Sequence, residues 1–236
     1  MTLAANTYVY DSARADIDGD RTTDDVVLYG EKQENDNPYV QNIGIAVKDG
    51  QTGIFSAASI GELNVGLEPK LFIGNFTDDK NKGILVSIAT GGSGGIYQFA
   101  LMTSIDEQVT PIVSQKELNE GLVLETQVLT NYALKLTDKN SGYSVLLDLH
   151  KGAEIYQSLG IYNEQGQLLE DPMVLVDGYG VLKPKDENGD GIYELHGLQS
   201  ISVAVHVNGV ATAESVWTVS NGHLKLLSEK FIPIDQ

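Results

Sequence analysis

Three short segments place oxygen-bearing side chains at alternate positions, the arrangement that a hard divalent cation needs. Asp16, Asp18, Asp20 and Asp24 stand at positions 1, 3, 5 and 9 of a nine-residue loop, with Thr22 at position 7. Asp186, Asn188, Asp190 and Glu194 repeat that spacing, with Ile192 at position 7. Asn75, Thr77 and Asp79 form a weaker copy whose ninth residue is Gly83. Ca2+ takes about six to eight oxygen ligands at roughly 2.3–2.6 Å and tolerates irregular geometry. A coiled loop turns positions 1, 3 and 5 towards one centre. A backbone carbonyl at position 7 and a carboxylate at position 9 then close the shell. Gly19, Gly189 and Gly191 permit the coil. Carboxylates this close repel one another unless a cation lies among them. The expectation is Ca2+ in the loops at 16–24 and 186–194, with the loop at 75–83 the weakest of the three.

An EF-hand is excluded. That loop closes with a bidentate Glu at position 12 and is flanked by helices. Here position 12 is Val27 or Gly197, and strand-like residues follow at once. Other chemistry is thin. With no Cys there is no thiolate ligand and no cysteine nucleophile. Gly91-Gly92-Ser93-Gly94-Gly95 has the spacing of a nucleophile elbow. That elbow joins a strand to a helix, whereas Ile96 to Leu101 continues as a strand, so a glycine-rich turn is expected. His150, His196, His206 and His223 have no metal-ligand spacing, and Trp217 sits in a strand as a packing residue. Asp24-Asp25 and Asp78-Asp79 are neighbours that point to opposite faces of a strand, so neither is an acid–base pair.

The elements that position these loops read as strands from end to end. Val26–Tyr29, Ile43–Val47, Leu71–Phe76, Ile84–Ala89, Ile96–Leu101 and Tyr143–Leu149 are short and apolar, and several are rich in β-branched residues. Asn208-Gly209 and Asn221-Gly222 suit tight hairpin turns. They predict a meander of Ile201–Val207, Val210–Val219 and His223–Leu227. Gln165-Gly166 marks another turn. Ser114 to Glu117 reads as a capping box opening a helix that Gly121 stops.

Asp-x-Asp-Gly-Asp-x-x-x-Asp running into an apolar strand resembles the FG-GAP/VCBS repeat of integrin-α-like β-propellers. Asn75-Phe-Thr through Ile84–Ser87, and the glycine run at 91–95, are similar to the same pattern. The layout also resembles uncharacterised VCBS-repeat proteins of spore-forming bacteria. The resemblance implies an all-β, propeller-like fold of about four repeats that binds Ca2+ in its loops, and it implies no single activity. The spacing agrees with repetition: Asp16 to Asn75 is 59 residues and Asn75 to Asp186 is 111, nearly two shorter periods. The missing copy falls near residue 131, where the segment around Asp138 and Asn140 has a loop-then-strand shape without the acidic spacing. A ring would be closed by Tyr8-Val9-Tyr10 pairing into the last blade. A sandwich or an open array of antiparallel sheets is the alternative.

The chain has 236 residues, a length for one or two domains at roughly 150 residues each, and no internal linker stands out. A single all-β domain over 1–236 is expected. Asp plus Glu number 33 against 15 Lys plus Arg, for a net charge of -18. That disfavours nucleic acid and anionic lipid as partners. No run approaches the length of a membrane-spanning helix. The N-terminus lacks the basic start and apolar core of a signal peptide. Either export by that route is not used, or a leader has been removed. The expected function is a non-enzymatic, calcium-stabilised module, secreted or on a cell or spore surface, that meets a protein or carbohydrate. The rivals are a calcium-dependent hydrolase or lyase acting on a polysaccharide or phosphoester, and a small-sugar binding module.

Overall fold

The computed structural model describes residues 6–32, 37–77 and 80–234. Fifteen strands form four antiparallel sheets, each made of strands consecutive in the chain. The first sheet holds β1 (Thr7–Ala15), β2 (Asp24–Lys32), β3 (Val40–Lys48) and β4 (Phe55–Ser59). The second holds β5 (Leu67–Gly74), β6 (Gly83–Ala89), β7 (Tyr97–Ile105) and β8 (Gln108–Pro111). The third holds β9 (Leu124–Leu129), β10 (Ala133–Asp138) and β11 (Ser144–Asp148). The fourth holds β12 (Val174–Lys185), β13 (Glu194–Val203), β14 (Gly209–Ser220) and β15 (His223–Pro233). Short helices, α1 (Gln115–Glu120) and α2 (Ala153–Ser158), lie between sheets.

The second sheet is buried on both faces. Ile84, Val86 and Ile88 of β6 pack in one core with the first sheet, around Leu28 and Ile45. Leu85, and Phe99 and Leu101 of β7, pack in a second core with the third and fourth sheets. This is why β6 reads as a near-continuous apolar run, whereas β2 and β14 alternate between buried and half-exposed residues. The first sheet's far face carries a shallow groove of about 780 Å3 lined by Val9, Val27 and Phe55.

The all-β reading holds, as antiparallel sheets; the expected closure of a ring by Tyr8-Val9-Tyr10 does not. Tyr8 and Val9 pair with Gly30 and Tyr29 of β2, inside their own sheet, so the N-terminal strand closes nothing onto the last sheet. A bulge between Val9 and Asp11 breaks that register.

Local chemistry fixes the boundaries. Ser114 caps α1 by accepting the Glu117 N–H (3.3 Å), and Gly121 ends it at φ +68°. Glu117 does not fold back on the cap; its Oε1 accepts the Leu224 N–H of the last hairpin (2.7 Å). Asn221 and Gly222 both have positive φ, as a tight hairpin turn requires. At the other Asn-Gly pair, β13 stops at Val203, short of the expected Val207. There the Asn208 side chain donates to the Val203 carbonyl (3.0 Å) and spans a wider turn. The strand expected to reach Leu149 ends at Asp148, whose carboxylate accepts the His150 N–H (2.9 Å) and opens a helical turn instead.

Candidate metal centre

The loop joining β1 to β2 coils as its spacing demands. Asp16 accepts the N–H groups of Gly19 (2.8 Å) and Arg21 (3.0 Å). Asp18 accepts that of Asp20 (3.1 Å), and Asp20 that of Thr22 (2.6 Å). Asp24 closes the loop by accepting the Ile17 N–H (2.8 Å). The loop joining β12 to β13 is wired in the same way. Asp186 accepts from Gly189 (2.7 Å) and Gly191 (3.0 Å), Asn188 from Asp190 (2.9 Å), Asp190 from Ile192 (2.8 Å), and Glu194 from Glu187 (3.1 Å). Positions 4 and 6 have positive φ in both loops: Gly19 and Arg21 in one, Gly189 and Gly191 in the other. The two loops thus share one local hydrogen-bonding pattern.

They differ in how tightly they gather charge. Carboxylate oxygens, one each from Asp16, Asp18 and Asp24, lie within 4.8 Å of one another, and so do those of Asp18, Asp20 and Asp49. Among the described residues these are the two places where three such side chains come so close. In the fourth sheet's loop the Asn188 amide instead donates to Asp190 (2.9 Å). Asp24 is 1% exposed and its second oxygen accepts the Gly50 N–H (2.9 Å), which pins the β3–β4 turn against the loop. That turn delivers Asp49, which the spacing rule could not find because it belongs to another hairpin. Thr52 and Gln51 N–H groups bind Asp49 (2.6 and 2.7 Å), and the Thr52 bond chiefly holds its carboxyl below the usual range. Burial pushes the Asp18 carboxyl up, helped by the charges of Asp20, Asp24 and Asp49. An all-oxygen set gathered this closely, with Asp18 at its centre, fits a hard cation such as Ca2+.

The loop between β5 and β6 plays a different part. Asn75 forms a parallel bridge with Ile192; its carbonyl accepts the Tyr193 N–H (2.7 Å) and its amide donates to the Gly191 carbonyl (3.3 Å). Its backbone and amide are thus turned to the fourth sheet's loop. On the other side the Lys82 N–H donates to the Ile17 carbonyl (2.7 Å), and a Cβ on Gly19 would lie 2.7 Å from that of Lys80. The three loops therefore dock in line, with 75–83 as the middle member. Thr77 lines a separate cleft with Asn81 and Asn221. Asp79 lies outside the described residues. Asp18, Asp20, Asp49, Lys80 and Glu107 line a cleft of about 640 Å3 over the first loop.

Elsewhere the plain readings stand. Trp217 is 9% exposed and its indole N–H meets Ser215 Oγ (2.8 Å). Asp25 turns away from Asp24 to pair with Arg14 (2.9 Å). Each histidine lies against a carboxylate: His150 on Asp148, His196 on Glu187, His206 on Asp177 and His223 on Glu117.

Residues 122–232, the third and fourth sheets, match the YybI C-terminal domain. The loop at 186–194 lies inside that segment; those at 16–24 and 75–83 lie outside it. Over 206 residues the chain is 30% identical to the uncharacterized protein YybI of Bacillus subtilis (strain 168), covering 87% of this chain and 77% of that one. The likeness thus runs through the first two sheets as well as the last two, and on that extent the chain belongs to the YybI family.

Proposed function

We propose that this protein is a non-enzymatic, calcium-stabilised module of FG-GAP/VCBS-like repeats that works by presenting a surface to a protein or carbohydrate outside the cell or on the spore. The observation that carries this reading is the gathering of Asp16, Asp18 and Asp24 in a loop wired like its counterpart at 186–194. Asp20 and Asp49 extend the oxygen set, and Asp20 accepts the Thr22 N–H. The loop lies where the first and second sheets meet, through Lys82 and Ile17. A cation there offsets the repulsion of five carboxylates and holds the two sheets together. The net charge of -18 keeps anionic polymers away and leaves neutral sugars or proteins as partners.

Melting in calcium and in EDTA tests it. Ca2+ bound only by the folded state adds about 2.7 kcal/mol at a hundredfold excess over Kd. For a chain of this size that is a rise of roughly 5–11 °C in Tm, with Mg2+ a poor substitute. Titration calorimetry is expected to show the tighter binding at 16–24. A melting curve indifferent to EDTA and Ca2+, with no metal in the purified protein, overturns the reading.

A further inference from the structure

The third sheet's hairpin shows what the loop becomes when it is shortened. Asp138, at the end of β10, accepts the Ser141 N–H on Oδ2 (2.8 Å), three residues on, as Asp16 does from Gly19 and Asp186 from Gly189. In the longer loops the second oxygen of that aspartate accepts a further N–H five residues on. Here the chain has already turned back: the Asp138 N–H donates to the Tyr143 carbonyl (2.9 Å). Asp138 is 0% exposed, and its Oδ1 is buried with no hydrogen-bond partner. Carboxylates are almost never fully buried unless paired.

Glu229 reaches the same place from the fourth sheet. It lies opposite Ser215 on the inward face of β15. The Ser141 hydroxyl donates to Glu229 Oε1, so Ser141 holds both carboxyl groups, one by its N–H and one by its O–H. The other Glu229 oxygen, Oε2, is also buried and without a partner. Among the described residues no cation side chain pairs with either carboxyl group. On the elements packed here, Lys139 and Glu125 are exposed, and Lys230 is paired with Glu214 (2.6 Å). Tyr143 lies flat against Phe231. Two carboxylates and one hydroxyl are also far short of a calcium shell.

We propose that Asp138 and Glu229 share a single proton, so that one carboxylic acid and one carboxylate join the third and fourth sheets. Glu229 carries the proton on Oε2 and donates it to Asp138 Oδ1, which gives both orphaned oxygens a partner at once. Burial, then the charge of Asp138, pushes the Glu229 carboxyl up, although its bond from Ser141 opposes this. A raised carboxyl is protonated in the folded chain and ionised in the unfolded one across the window above the ordinary glutamate value. The contribution to stability is therefore full on the acid side and is lost as pH rises through that window.

The test compares the wild type with Glu229→Gln between pH 4.5 and 8.5, in EDTA so that the calcium loops are empty in both. The glutamine amide imitates the protonated acid at every pH. The two melting temperatures are expected to coincide at the acid end, with the variant gaining about 2–6 °C at the alkaline end. Asp138→Asn gives a second, independent variant with the same expectation. Infrared spectra at a pH just above the ordinary glutamate value are expected to show a carboxylic-acid band that Glu229→Gln removes. A difference in Tm that is constant with pH, or a missing band, overturns the proposal. So does a wild-type Tm at pH 8.5 that Na+, still in EDTA, raises when Glu229→Gln does not respond, because a cation then occupies the place of the proton. None of these outcomes depends on whether the loop at 16–24 binds metal.

Discussion

Asp18 and Asp24 show that carboxylates in one loop do different work. Asp24 is buried and accepts two backbone N–H groups, from Ile17 and Gly50, so it holds the loop whether or not a cation is present. Asp24→Ala leaves both donors unpaired and is expected to cost about 2–4 kcal/mol in EDTA, read by denaturant unfolding. Asp18 is the reverse case, since burial and its three acidic neighbours disfavour its charge. Asp18→Asn keeps the acceptor for the Asp20 N–H and removes the repulsion. It is expected to raise Tm slightly in EDTA and to lower it, relative to wild type, in calcium. A variant that loses stability equally in both solutions would show that Asp18 is structural. Much of this site is legible in the sequence, because alternation within nine residues forces the side chains inward. Asp49 is not, because a lone acidic residue in a turn 25 positions beyond Asp24 becomes a neighbour only when β2 and β3 pair. The fate of Asn75 is hidden for a similar reason. Its type and spacing are those of a ligand, but its amide is turned to the Gly191 carbonyl by a contact across 116 residues.

At the scale of elements, the apolar runs locate the strands well, since burial is what both patterns record. They mislead where a side chain competes with the ladder. Asp148 ends β11 and Asn208 ends β13 early, each by a local bond to the backbone that no periodicity anticipates. A side chain can also extend a sheet. Asn119 of α1 accepts the Phe99 N–H (2.8 Å) and donates to the Phe99 carbonyl (2.8 Å), doing for β7 what another strand would do. Asn119→Ala leaves both groups of a residue that is 3% exposed without this partner. It is expected to cost about 2–4 kcal/mol, with faster amide exchange at Phe99 than in the rest of β7. Asn119→Asp is expected to restore the acceptor only and to recover less than half.

At the scale of the molecule, the second sheet carries two cores at once, one with the first sheet and one with the third and fourth. Phe99 packs on Tyr179 of β12 with ring centroids 6.4 Å apart, so the family's C-terminal segment leans on a sheet outside it. A fragment of residues 122–234 is therefore expected to bind a hydrophobic dye and to unfold without a sharp transition, whereas residues 60–234 melt cooperatively; a sharp transition in the shorter fragment would show that the last two sheets suffice. The ordering of strands has a further consequence in time. Because every sheet is built from neighbours in the chain, each can close as soon as its last strand leaves the ribosome. The first sheet is then finished early and waits little. The second is completed with one apolar face covered and the other, with Phe99 and Leu101, bare until the rest of the protein has been made. The interval of synthesis between residue 111 and the fourth sheet is thus when this chain is most open to sticking to its neighbours, and when a chaperone has most to hold.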